Sequence, residues 1–237
     1  MGEDSYRSPE RRPIAVRHWA VFRKLAVWLA CRGVSPNAIS VAGMGCGIAA
    51  GIVLAATSWS SSSLEERIAW LAAAVLIQLR LLANMLDGMV AIECRRASPV
   101  GELFNEVPDR ISDAAILVGA GYAAGGDMTL GYLAACVALF TAYVRAMGKA
   151  AGAAQEFCGP MAKQQRMFLV TLVAVYSGLA PEAWQPHWQP FIPLQVGVPE
   201  RRWGLMALAL ALIVIGGLAT AVRRLRRIAI NLRKTMP

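Results

Sequence analysis

Long apolar stretches alternate with short polar ones along most of this chain, and most of the apolar stretches approach the ~20 residues a helix needs to cross a bilayer core. Runs at 37–57, 67–93, 99–124, 128–148, one ending near 180 and one at 204–222 predict six transmembrane helices in one membrane domain, 35–222. Ser35-Pro36 and Ser98-Pro99 read as helix starts, a capping serine followed by a first-turn proline. Gly43, Gly47 and Gly51 recur every four residues on one face, which predicts close packing of the first span against a neighbour. Upstream, Trp19, Phe22, Ala26 and Leu29 share a face, with Arg17, His18, Lys24 and Arg32 mostly opposite. Residues 16–34 are therefore expected to form an amphipathic helix lying in the membrane interface. Residues 1–15 are expected to be disordered, and 223–237 to form a basic tail, helical along the surface. The segment 181–203 holds five of the twelve prolines and three of the seven tryptophans, the pattern of a loop at the aromatic belt.

Composition agrees with an all-α polytopic membrane protein and excludes an ordinary soluble domain. The chain is 57% hydrophobic and only 16% charged. Its formal net charge of +9 reads as an orientation and anionic-lipid signal, not as nucleic-acid binding. Lys and Arg concentrate in the N-terminal segment, the 94–100 connector, the 149–166 loop and the tail. The opposite loops carry mainly Arg67, Arg201 and Arg202. Both termini are thus expected on the cytoplasmic side of the inner membrane. No cleavable signal peptide is expected, since the first seventeen residues are polar. The five cysteines are odd in number and scattered, and are read as reduced bystanders.

The chemistry is suggested by polar residues at membrane depth, which are costly and usually functional. Asn84, Asp87, Gly88 and Ala91 lie on one helical stripe. Asn105, Asp109 and Asp113 lie on another, with Gly101 one turn earlier. Two such stripes on adjacent helices could converge oxygen ligands on a hard cation such as magnesium. Glu102 shares the face of Asn105 and Asp109, and Glu106 lies one turn before Asp109. Pro108 predicts a kink beside Asp109. A second, basic constellation comprises Arg145, Lys149, Lys163 and Arg166.

The stretch from Asn84 to Asp109 resembles the signature of the CDP-alcohol phosphotransferases, Asp-x2-Asp-Gly-x2-Ala-Arg-x8-Gly-x3-Asp-x3-Asp. Every gap is kept, while Asn84, Ile92 and Asn105 replace the first aspartate, the arginine and the third aspartate. Ser-Pro-Asn-Ala-Ile-Ser at 35–40 and Tyr-Val-Arg-Ala at 143–146 are similar to other parts of the family pattern. The resemblance implies a membrane enzyme that transfers a phosphatidyl group from CDP-diacylglycerol to an alcohol and releases CMP. It implies Asp87 as a metal ligand and Asp109 as base or ligand, with Asn84 and Asn105 at the remaining ligand positions. Gly88, Ala91 and Gly101 would leave room for the nucleotide. Arg145, Lys163 and Arg166 would meet the phosphate of an anionic acceptor. The implied cofactor is Mg2+ or Mn2+, one or two ions: four carboxylates balance two such ions, and Asp87 with Asp109 balance one. Glu102 or Glu106 could restore a charge, Glu102 the better candidate because it shares the face of Asn105 and Asp109. Membrane lipids and a homodimer are the further implied partners. The alternative, favoured by the two asparagines, is a relative that kept the fold, lost the reaction and binds nucleotide or lipid as a scaffold.

Overall fold

A serine cap and a first-turn proline open the first long helix, as the sequence predicts: Ser35 Oγ accepts the Ala38 amide at 3.1 Å. The computed structural model describes residues 20–93, 99–153, 156–189 and 202–235. Seven α-helices follow in order: α1 (Ala20–Cys31), α2 (Pro36–Ala56), α3 (Ser63–Glu93), α4 (Pro99–Tyr122), α5 (Met128–Ala150), α6 (Lys163–Leu179) and α7 (Leu205–Thr235). The described residues contain no β-strand, only one antiparallel bridge between Trp188 and Trp203. The expected disordered segment 1–15, Trp19 and the basic residues before it, the 94–98 connector with Ser98, and residues 190–201 of the proline-rich loop lie outside the described residues.

Among the described residues, four helices are long and apolar enough to cross a membrane: α2 with the turn after it, α3, α5 and α7. The other two expected spans are helices that fall short for different reasons. Helix α4 carries Glu102, Glu106, Asp109, Arg110 and Asp113, which lower its hydropathy. In α6 the helix has 17 residues, the lower limit for a crossing. Large apolar side chains lie exposed along the outside, among them Ile48 and Ile52 on α2, Leu79 on α3, Phe140 on α5 and Ile215 on α7. A soluble protein rarely exposes so much apolar surface. The chain is a multi-pass membrane protein.

Small residues set the spacing of the bundle. At Gly47 a side chain would meet Ser112 Cβ at 2.6 Å, and at Gly51 it would strike the Ala115 carbonyl of α4. Gly119 of α4 abuts the Gly51 backbone in turn. Gly47 and Gly51 of the stripe read from the sequence thus form the α2–α4 seam, Gly43 packs on Ala83 of α3, and α4 meets α5 through a similar Gly121–Gly131 contact. Gly51→Val is expected to destabilise the protein by on the order of 3 kcal/mol, because the opposing atoms are backbone and cannot turn away. Its melting temperature in detergent, compared with wild type, checks this.

Between α4 and α5 the chain turns at Gly125, whose φ of +65° suits glycine, and the Gly204 amide donates to its carbonyl at 2.8 Å. Asp127 caps α5 through the Leu130 amide and also accepts the Trp203 indole N–H at 3.1 Å. The core between the helices is filled by Leu54, Trp70, Ile77, Ile116, Met167, Leu210 and their neighbours. Helix α1 turns Ala26 and Leu29 toward Leu86 and Val90 of α3, while Val21 and Trp28 stay exposed. Helix α7 differs from expectation: it runs unbroken through the basic tail, with Arg224 turned inward onto the carbonyls of Thr141 and Cys158.

Candidate active site

Helix periodicity brings the polar stripes together. Arg80, Asn84 and Asp87 lie at i, i+4 and i+7 on α3, and Asn105, Asp109 and Asp113 at four-residue steps on α4. Helix α2 adds Ser40, and the first turn of α6 adds Lys163 and Arg166. Ser40, Arg80, Asn84, Asp87, Asn105 and Asp109 line one narrow cleft, roofed by Gly43, Met44, Pro108 and Ser112.

Each polar group has a defined partner. Ser40 Oγ donates to Asp87 Oδ2 at 2.6 Å, whereas Asp87 Oδ1 is buried without a hydrogen-bond partner. Asn84 Nδ2 donates to Asn105 Oδ1 at 3.1 Å. Lys163 Nζ donates to Asn84 Oδ1 at 3.0 Å and to Asp109 Oδ2 at 2.5 Å. Arg80, only 1% exposed, reaches Asp109 Oδ1 at 2.7 Å and Asp113 Oδ1 at 3.0 Å. Arg166 reaches Asp113 Oδ2 at 3.4 Å and the Met161 carbonyl at 3.2 Å. Asp109 and Asp113 are thus interleaved with three cations at the junction of α3, α4 and α6, while Asp87 makes no direct ion pair. Burying charges is costly unless they are paired, and this pairing meets that need.

The other residues singled out in the sequence take up varied positions. Gly88 is buried beside Asp87, and Ala91 and Gly101 are half-buried. Ile92 is 61% exposed and takes no part in the network. The Glu102 side chain lies outside the described residues. Glu106 does not turn to the cleft: it holds Arg110 and Arg145, each at 2.6 Å. Arg145 also lies over the Phe157 ring. Of the basic residues expected at an acceptor's phosphate, Lys163 pairs with Asp109 and Arg166 with Asp113, adding to the compensation Arg80 gives both carboxylates. Arg80 and Ser40 are partners the sequence reading missed. Arg80 carried a signal nonetheless, an arginine inside an apolar run one turn before Asn84.

Among the described residues, no three of His, Cys, Asp and Glu converge as a metal cage. The donors suit one hard cation: the Asp87 Oδ1 atom is an orphan carboxylate oxygen of the kind magnesium and manganese accept, and such ions bind through one or two carboxylates together with substrate phosphates, whereas the amide oxygens of Asn84 and Asn105 already accept from Lys163 and Asn84. They do not suit two such ions, since both Asp109 oxygens and both Asp113 oxygens already face cations.

A family model for CDP-alcohol phosphatidyltransferase matches residues 33–221, most of the chain. The chain belongs to the CDP-alcohol phosphatidyltransferase family. It is a membrane transferase of that family. A phosphatidylinositol phosphate synthase of Cutibacterium acnes is 33% identical over 157 residues, spanning 63% of this chain and 69% of that protein. The inner membrane protein YnbA of Escherichia coli is 24% identical over 161 residues, 66% of this chain and 77% of the relative. In fold, the chain is similar to Mycobacterium tuberculosis phosphatidylinositol phosphate synthase (PgsA1). The crystal structure of that protein in complex with manganese and citrate aligns with a TM-score of 0.66 at 19% identity, over 88% of each chain. Its structure with CDP-DAG bound aligns equally well, covering 89% of this chain and 94% of that one.

Proposed function

We propose that this transferase moves a phosphatidyl group from CDP-diacylglycerol to an alcohol acceptor and releases CMP. The observation that carries this reading is the cleft itself: Asp87, with its orphan oxygen, lines it together with Asp109, whose carboxylate also holds the Lys163 ammonium. Asp109 is the residue placed to take the acceptor's hydroxyl proton. A carboxylate has about four lone-pair sites, so the bonds from Arg80 and Lys163 leave room for one more donor. As that proton leaves, the acceptor oxygen bonds to the phosphatidyl phosphorus. The bond to the bridging oxygen breaks, and CMP departs with the electron pair. Arg80 holds Asp109 in position through both its side chain and its carbonyl, at 2.7 and 3.2 Å. A divalent cation held by Asp87, beside the Asn84 and Asn105 amides, would supply charge for the donor's diphosphate.

The acceptor in this reading is anionic, with Arg145 and Lys149 at the end of α5 as its remaining basic contacts and Gly88, Ala91 and Gly101 beside the nucleotide. This fits relatives that are phosphatidylinositol phosphate synthases. Helices α4 and α6 complete six crossings, α1 lies in the interface, and the cleft with both termini faces the cytoplasm, where the basic residues are concentrated. A homodimer belongs to the reading on family resemblance alone. The second reading, a nucleotide- or lipid-binding protein without turnover, is favoured by one feature: Asn84 and Asn105 bond to each other.

The test is CMP release from CDP-diacylglycerol by purified protein, with a pool of candidate alcohols and with magnesium, manganese or EDTA. Release that needs both the cation and one alcohol supports the enzyme and names its product. Binding of CDP-diacylglycerol with no release under any condition supports the second reading.

A further inference from the structure

The cations around the cleft exceed what a two-metal site tolerates. Asp87, Asp109 and Asp113 are already matched in number by Arg80, Lys163 and Arg166, and the outer trio of Glu106, Arg110 and Arg145 adds one further positive charge. Two divalent ions would leave a large uncompensated positive charge among buried helices. One divalent ion added to the charge-matched inner six leaves an excess of two, the size that a diphosphate cancels, and the partly exposed outer trio is left to solvent. The residue that resolves the count is Lys163. Its ammonium bridges Asn84 Oδ1 and Asp109 Oδ2, the oxygens of two signature positions. It is also 19% exposed, unlike Arg80 and Arg166, so it can reach an incoming anion. An ammonium has three donors, of which these two bonds use two.

We infer that Lys163 Nζ is a resident cation that takes the place of a second metal ion in this chain, so that the donor's diphosphate is held between one divalent ion on Asp87 and the Lys163 ammonium. The inference rests on the phosphatidyl-transfer reading for the identity of the diphosphate. It accounts for both asparagines: where an ammonium stands in for a dication, the site needs less negative charge, and neutral amide oxygens suffice as acceptors. The third signature position then serves to orient Asn84 through the 3.1 Å amide bond.

The experiment counts Mn2+ per chain by the loss of the free-ion electron paramagnetic resonance signal, on the full chain in detergent with CDP-diacylglycerol present. Wild type is expected to take one ion. The Asn84→Asp/Asn105→Asp/Lys163→Met variant is expected to take two, and Asn84→Asp/Asn105→Asp with Lys163 kept is expected to take one. Two ions or none on wild type overturn the inference without recourse to any variant. A triple variant that folds, as shown by a cooperative melt, yet takes one ion overturns it as well. The ion count does not require turnover. A protein that binds one ion but releases no CMP therefore overturns the phosphatidyl-transfer reading and leaves the Lys163 substitution standing.

Discussion

Asp87→Asn is expected to lower CMP release by about 10^2- to 10^4-fold, the usual effect of removing one charged group from the reacting centre, while leaving the fold intact. The two halves of this prediction have separate causes. Ser40 can still donate to an amide oxygen at the position of Asp87 Oδ2, so the α2–α3 contact survives. The other oxygen has no protein partner to lose. What disappears is the single carboxylate charge not already matched by a direct ion pair. The measurement is the rate of CMP release beside the thermal midpoint. A large loss of rate with an unchanged midpoint is the expected pair of results. An equal fall in both would show that Asp87 is structural.

The opposite pattern is expected at Arg80. Arg80→Met leaves Asp109 and Asp113 short of a cation in a site where neither can be solvated, which costs about 3–5 kcal/mol when one partner of a buried pair is removed. The methionine fills much of the space, so the loss reflects charge more than packing. Adding Asp113→Asn should recover a good part of the stability, because Lys163 still faces Asp109 and Arg166 no longer has to compensate a full charge. Melting of the single and double variants in detergent checks this. A double variant no more stable than Arg80→Met alone would show that the two residues are not coupled.

The regular parts of the molecule were legible in the sequence because each rests on one periodicity. The four-residue glycine step gave the α2–α4 seam, and the stripes from Asn84 and Asn105 gave the facing sides of α3 and α4. What could not be read was which cation meets which carboxylate. Lys163 and Arg166 lie on α6, more than fifty residues beyond Asp109, and only the packing of α6 against α3 brings them to the cleft. Arg80 lies inside an apolar run one turn before Asn84 and belongs to no signature spacing. Ser40 shows in the sequence only as the last residue of the Ser-Pro-Asn-Ala-Ile-Ser run, with nothing to mark Asp87 as its partner. Helix α4 illustrates the limit of hydropathy, since among the charges that lower it are Asp109 and Asp113, which help make the site.

The Arg80 bridge to Asp109 and Asp113 joins two helices that are consecutive in the chain. During synthesis, α3 emerges first and carries its arginine to meet the carboxylates of α4 as they arrive. The pair can therefore leave the translocation channel as a hairpin with much of its charge already cancelled. Lys163 and Arg166 come later, and their arrival with α6 completes the neutralisation. On this view the order of the helices is also a schedule for biogenesis, in which neither Asp109 nor Asp113 must wait in lipid for its first counterion.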